Sequence, residues 1–391
     1  MKKILFISHD ANRAGAQILL LRFIKKLAQD SDFQITILLK HGGPLVSEFE
    51  ATAPTYYWHS PAAPSGRLLG RLLRQRESTV NLVTQFLGEN FDLVVSNTVT
   101  NGDLLEDLRA LACPVVTYAH ELEIGISMYT SPEAFARTLR HSDFYLACSR
   151  VQRQRYIDNY GIAPDRIDYL PSLLPEEMGQ ADALPEPSAE LRTELNLPVD
   201  ALLVGCMGTL DWRKGLDVFI QLARLVPQTI DGLPVRFVWV GGNHQHVEYK
   251  IIVEDARRLG LQERLIFIEN QPNPLAYMVC FDVFALPSRE EPYPLVVLEA
   301  ALLGKPTVCF DQAGGAREVV EQDAGFVCDY LDTNQMADRI GLLLRDETLR
   351  QRMGRTARQK VRLRHAGQPA MTVLLGLLEK YMAPVPHPTL S

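Results

Sequence analysis

Two carboxylates stand with seven residues between them in Arg289-Glu-Glu-Pro-Tyr-Pro-Leu-Val-Val-Leu-Glu-Ala300. Glu291 lies in a polar loop after the strand-like run Val283-Phe-Ala-Leu-Pro287, and Glu299 lies about two turns into an apolar helix. A loop between a buried strand and a helix is the edge of an open α/β sheet where ligands bind. The first N–H groups of that helix, those of Leu295 and Val296, are free to meet a phosphate. Pro294 just before them cannot donate. Carboxylates on either side of such a turn suit a ligand with phosphates in the middle and hydroxyls at both ends, as in a nucleotide-sugar. About 80 residues upstream, Arg213 and Lys214 follow another strand-like run, 202–207, where two cations can offset pyrophosphate charge. His120 follows the strand-like Val115-Val-Thr-Tyr-Ala119, with Glu121 beside it, and can hydrogen-bond a sugar. Gly15-Ala16 stands between the first strand and the first helix, where small residues let backbone approach a ligand.

The elements that position these residues follow from periodicity. Apolar runs near 3–8, 34–39, 92–96, 114–118 and 143–148 alternate with helical patterns, and a second series follows near 202–207, 235–240, 265–268, 283–286 and 307–310. Such alternation predicts βα units and parallel sheets. Helices are expected over 15–30, with Leu19, Leu20, Phe23, Ile24 and Leu27 on one face, and near 214–226, 246–259, 295–303 and 334–344. Prolines 171, 175, 185, 187 and 198 mark a connection between two domains, which 391 residues already imply. The boundaries are placed at 1–180 and 181–365, with 366–391 as a last helix and tail.

Composition removes several classes of function. A net charge of −7 lacks the basic footprint of a nucleic-acid binder. Six scattered cysteines without a C-x-x-C read as buried thiols. No run of 18 apolar residues is present, so no membrane span is expected. Histidines and carboxylates show no spacing typical of a metal site, and Asp30-Ser-Asp32 precedes a strand rather than following one, so no metal ligands are assigned. The segment 65–77 places Leu68, Leu69, Leu72 and Leu73 on one helical face among Arg67, Arg71, Arg74 and Arg76. It can lie on an anionic membrane, or pack on the first domain with its arginines in water.

The Glu291–Glu299 segment, with Ala300-Ala-Leu-Leu-Gly-Lys-Pro306, Gly314-Gly-Ala-Arg-Glu-Val-Val320 and Gly208-Thr-Leu-Asp-Trp-Arg-Lys-Gly215, resembles the family-4 retaining glycosyltransferases (group 1 glycosyl transferases). The resemblance is strong over roughly 200–330 and continues weakly from residue 1. It implies the GT-B fold, an α/β architecture of two Rossmann-like domains facing a central cleft, with the last helix returning to the first domain. It further implies a retaining, metal-independent enzyme without cofactor that uses a nucleotide-diphosphate sugar, a UDP- or GDP-sugar, as co-substrate. The acceptor would be a glycan, lipid-linked or small-molecule hydroxyl. His120, Lys214 and Glu291 become the catalytic residues. Gly15, Arg213, Lys214, Glu291, Leu295, Val296 and Glu299 bind donor, the nucleotide base lying near 269–273. Gly15, Ala16 and His120 line the acceptor side. A cytoplasmic protein, at the inner membrane face if 65–77 binds lipid, is implied. The family carries an arginine where this chain has Thr209 and a glycine where it has Pro294. Those departures keep open a non-catalytic partner in glycan assembly; another GT-B nucleotide-sugar enzyme, such as an epimerase, is the other alternative.

Overall fold

The computed structural model describes residues 1–58, 82–174, 188–365 and 367–383. The basic segment 65–77, much of the proline-rich connection and the end of the tail lie outside the described residues. The chain divides into two compact units, Met1–Leu173 with Gln368–Ser391, and Leu174–Gly367.

The first unit holds strands β1 (Lys3–Ser8), β2 (Gln34–Leu39), β3 (Thr55–Tyr57), β4 (Leu93–Asn97), β5 (Val115–Ala119), β6 (Phe144–Ala147) and β7 (Ile167–Tyr169). They pair in parallel in the order β3-β2-β1-β4-β5-β6-β7. Central strands of such a sheet are covered on both faces, which explains why Ile4–Ile7 and Leu93–Val95 are continuous buried apolar runs. Helix Gly15–Asp30 buries Leu19, Leu20, Phe23, Ile24 and Leu27, the face its periodicity predicts. The late helix Gly367–Met382 belongs to this unit. Its Tyr381 is fully buried, stacks on Phe144 at 4.6 Å and donates its hydroxyl to Asp168 at 2.5 Å.

The second unit holds β8 (Leu202–Met207), β9 (Thr229–Ile230), β10 (Leu233–Val240), β11 (Leu265–Ile268), β12 (Val283–Leu286), β13 (Thr307–Phe310) and β14 (Gly325–Cys328). The parallel order is β11-β10-β8-β12-β13-β14, with β9 antiparallel on β10. Counted within each unit and leaving out β7 and β9, both sheets run 3-2-1-4-5-6. In that order the chain winds to one side after its first strand and to the other after its fourth. A crevice therefore opens at the carboxyl ends of β1 and β4, and of β8 and β12. The short strands β3, β7, β9 and β14 are additions to the sequence reading. The predicted helix 214–226 is a 3-10 turn, Trp212–Lys214, followed by helix Leu216–Leu225. Among the described residues, no helix is long and apolar enough to cross a membrane.

Candidate functional site

In the second unit, the expected residues gather at the β8–β12 crevice. The chain leaves β8 through Gly208-Thr-Leu-Asp211, and Asp211 caps the 3-10 turn by accepting from the Lys214 N–H at 3.0 Å. Thr209 donates its hydroxyl to Asp211 at 2.5 Å, so it steadies that cap. Gly215 follows in the left-handed region at φ 74°, and a Cβ there would stand 2.1 Å from the Pro287 carbonyl oxygen. Only glycine permits this approach, which brings the Lys214 turn against the exit of β12.

From β12 the chain runs through Ser288 to Glu291, which is 5% exposed. Its N–H donates to the Ala313 carbonyl at 2.7 Å, and its own carbonyl accepts from Gly315 N–H at 3.0 Å. The loop is thus pinned to the Gly314-Gly315 turn after β13. The Glu291 carboxylate forms an ion pair with Lys214, lies 3.3 Å from the Arg213 guanidinium, and accepts from Ser288 at 3.4 Å. Burial pushes this carboxyl upward, but the Lys214 and Arg213 charges outweigh it and hold the group below the usual carboxylate range. Arg213 also donates to the Glu290 carbonyl at 2.8 Å. The residues read separately in sequence as phosphate-binding cations and a sugar-binding carboxylate are therefore one another's partners.

Helix Leu295–Leu302 starts after Pro294, without a side-chain cap. Its first intrahelical bond is Val297 N–H to the Pro294 carbonyl at 3.0 Å, leaving the Leu295 and Val296 N–H groups ahead of it. Val297, Leu298 and Ala300 are buried, whereas Glu299 stays half-exposed at the edge of the apolar face. Arg289 is a residue the sequence reading passed over. It forms a bidentate pair with Asp217, both contacts at 2.8 Å, donates to the Trp212 carbonyl, and lies 4.5 Å over the Trp212 ring. A cation directly ahead of the carboxylate segment was its only sequence signal. At the end of β10, the Gly242 N–H donates to Asn270 and the His244 N–H to Glu269, both at 2.9 Å, in the stretch expected to meet a nucleotide base.

In the first unit, Asn97 at the end of β4 ties the predicted residues together. Its amide nitrogen donates to the Ala16 carbonyl at 3.2 Å, and its oxygen accepts from His120 Nε2 at 2.9 Å. That bond sets the tautomer, leaving His120 Nδ1 as an acceptor. Burial lowers the His120 ring to about 3, helped by nearby His9, so the ring is neutral. Gly15 opens its helix behind an uncapped Ala14. Glu121 is buried, accepts from the N–H groups of Val99 and His120 at 3.2 and 3.0 Å, and is pushed by burial up to about 7. Sequence reasoning missed His9, Gln17, Asn97 and Thr98; the His-Asp pair directly after β1 was the available cue. Among the described residues, no three His, Cys, Asp or Glu side chains are placed to hold a metal ion.

Comparison with known proteins covers both units. The model described as Glycosyl transferases group 1 matches residues 187–360, and that described as Glycosyltransferase Family 4 matches 13–173. The D-inositol 3-phosphate glycosyltransferase of Nocardia farcinica is 28% identical over 285 residues, 69% of this chain and 61% of that protein. The N-acetyl-alpha-D-glucosaminyl L-malate synthase of Bacillus anthracis is 34% identical over 115 residues, 29% and 30% of the two chains. The matched part therefore spans less than two thirds of these relatives. HepE from Anabaena, solved in complex with UDP and glucose, superposes with a TM-score of 0.80 at 22% identity, over 97% of this chain and 100% of that one. Sucrose-phosphate synthase from Thermosynechococcus elongatus gives 0.77 at 19% identity, over 98% and 100%. At these identities the solved structures speak for the GT-B fold, and the two family models speak for descent. With sheet order, crevice and matched models in agreement across both units, the chain belongs to the family-4 glycosyltransferases of GT-B fold.

Proposed function

We propose that the chain moves a sugar from a nucleotide-diphosphate sugar to an acceptor hydroxyl, with retention at the anomeric carbon and with neither metal nor further cofactor. The observation that carries this reading is the pair of cations, Lys214 and Arg213, on the buried Glu291 at the β8–β12 crevice. There the pyrophosphate meets the cations and the Leu295 and Val296 N–H groups, Glu299 holds the ribose, and Glu291 the sugar hydroxyls. The bond from the anomeric carbon to the phosphate oxygen breaks, and the diphosphate leaves with the electron pair. It accepts the proton of the acceptor hydroxyl, whose oxygen bonds the same face of the sugar. Negative charge grows on the leaving group, where Lys214 acts. His120, with Gly15 and Ala16, binds the acceptor. HepE was solved with UDP-glucose, which favours a UDP-sugar over a GDP-sugar. A cytoplasmic site at the inner membrane face, with 65–77 on lipid, completes the reading; failure to pellet with anionic liposomes at low salt would remove the membrane part.

The test combines donor binding with turnover. UDP, GDP, ADP and their sugar conjugates are screened by thermal shift in the presence of a chelator. One nucleotide class is expected to raise the melting temperature, since a ligand at 100 times its Kd adds about 2.7 kcal/mol. Glu299→Ala should abolish that shift. Lys214→Ala should lower kcat by about 10²–10³-fold while weakening donor binding much less. Equal losses in kcat and binding would reject the transition-state role, and the absence of both shift and turnover would reject the enzyme.

A further inference from the structure

The amino edge of the second sheet, opposite the crevice, gathers four cations around one carboxylate. Asp282, directly before β12, accepts from the Leu203 N–H at 2.8 Å and lies 3.6 and 3.7 Å from the guanidinium groups of Arg192 and Arg350. These three side chains are largely withdrawn from water, at 18%, 15% and 14% exposure. Arg192 also donates to the carbonyls of Pro198, Val199, Ala201 and Cys280, and Arg350 to the last carbonyls of helix Thr333–Arg345. Helix Glu347–His365 reaches this edge through a glycine contact, since a Cβ at Gly354 would stand 1.9 Å from the Gly304 carbonyl oxygen. One turn on, Arg358 lays its guanidinium over Gly304, where a Cβ would be 3.0 Å from Nη2. Lys305 follows, two residues before β13.

Two of the four cations lack an acceptor. Among the described residues the Lys305 ammonium makes neither hydrogen bond nor ion pair, and Arg358 Nε is buried without a partner. The unmet groups are donors, and a donor withdrawn from water without an acceptor is destabilising. The charge balance points the same way. Arg192, Lys305, Arg350 and Arg358 carry four positive charges and Asp282 one negative, a surplus of three. Helix Glu347–His365 does not correct it: its one acid, Glu347, bonds Gln351 and lies about 16 Å from Arg358 along the axis. Burial pushes the Lys305 ammonium down to about 8, against the pull of Asp282 and Cys280 and with the push of Arg192 and Arg358.

We propose that Lys305 and Arg358 hold an oxyanion of the phosphate class at the amino edge of the second sheet, in a site separate from the nucleotide crevice. The ammonium and the Nε–H each donate a charge-assisted bond to an anion oxygen, while Arg192 and Arg350 add the field that Asp282 alone does not cancel. Two directional donors from different elements suit separate oxygens of one tetrahedral group, which a halide cannot offer. A doubly charged anion lowers the surplus from three to one. The site does not depend on the glycosyl-transfer reading, because no residue of the Lys214–Glu291 crevice takes part.

The test uses the full chain with saturating UDP, so that the crevice cations are covered, and titrates sulfate by calorimetry at constant ionic strength. Sulfate keeps its double charge through the neutral and alkaline range, so a pH dependence belongs to the protein. Wild type is expected to bind it about tenfold more weakly at pH 9 than at pH 7, as Lys305 loses its proton. Lys305→Arg should bind without that loss. Lys305→Met and Arg358→Met should each weaken sulfate about tenfold. Both should leave UDP affinity at its wild-type value, which also shows that they are folded. Inorganic phosphate and glycerol phosphate, titrated in the same way, distinguish the source of the anion: binding of the free ion alone marks a closed site, and binding of both marks one open to a phosphate monoester. No binding of sulfate, or of either phosphate, by wild type would overturn the proposal. So would wild-type affinity in either methionine variant, the mark of an adventitious ion only, or a wild-type affinity that does not change between pH 7 and 9.

Discussion

His120, half-buried, and Glu121, buried, are adjacent in sequence, and burial moves them in opposite directions. His120 is lowered from 6.5 to about 3, and Glu121 is raised from 4.5 to about 7. Between pH 3 and 6.5 the unfolded chain binds a proton at His120 that the folded chain refuses, so this residue makes stability rise with pH. Between pH 4.5 and 7 the folded chain keeps a proton at Glu121 that the unfolded chain has released, so this one makes stability fall with pH. Over the shared window, pH 4.5–6.5, the two slopes oppose. Glu121→Gln should therefore expose the histidine slope: the urea midpoint climbs from pH 4.5 to 6.5 more steeply than in wild type. His120→Gln should expose the other, with a midpoint that falls from pH 4.5 to 7. Parallel profiles for both variants and wild type would show that neither group is shifted.

At the scale of elements, the crevice of the second unit depends on one close approach. Gly215 seats the Lys214 turn against Pro287, so the exits of β8 and β12 are held together by the absence of a side chain. Gly215→Ala should cost about 1–2 kcal/mol for its left-handed φ and a further ~1–3 kcal/mol for overpacking. It should weaken nucleotide binding as Lys214 and Glu291 separate. Gly232→Ala is the matched control, because its φ is 81° but no atom lies near its Cβ position. Only the backbone part should appear, with UDP affinity intact; equal effects of the two substitutions would reject the seating role. This dependence also marks how far the sequence was legible. Long apolar strands such as β1, β8 and β10 announce themselves, because burial on both faces leaves them few polar residues. Strands β3 and β7 lie at the edges of their sheet and are two-thirds or wholly half-buried, so Thr55-Tyr-Tyr57 and Ile167-Asp-Tyr169 carry no such run. The loop positions of Lys214 and Glu291 were readable, but their mutual ion pair was not, since it joins residues 77 apart. Gln17 stands on the buried face of a helix among leucines, where periodicity reads only an interruption.

On the scale of the whole molecule, chain order and folding unit do not coincide. The first unit is completed by a helix that is synthesised after the entire second unit, and Tyr381 anchors it. That ring is fully buried, stacked on Phe144 of β6 and bonded to Asp168 of β7. Removing a buried aromatic costs about 3–5 kcal/mol, and the whole of that loss falls on contacts within the first unit. Tyr381→Ala should therefore shift hydrogen exchange in β1 and β4–β7 to lower urea, leaving β8, β10, β12 and β13 at their wild-type midpoint. On the proposed reading UDP meets Lys214, Arg213 and Glu299 of the second unit, so it should still protect the β8 and β12 exits in the variant. A common downward shift of both sheets would mean that the two units open as one cooperative body, and nucleotide binding would then fall with them. Separate midpoints would mean that the second unit keeps its fold and its nucleotide binding after the first unit has opened, a separation that local unfolding free energies permit.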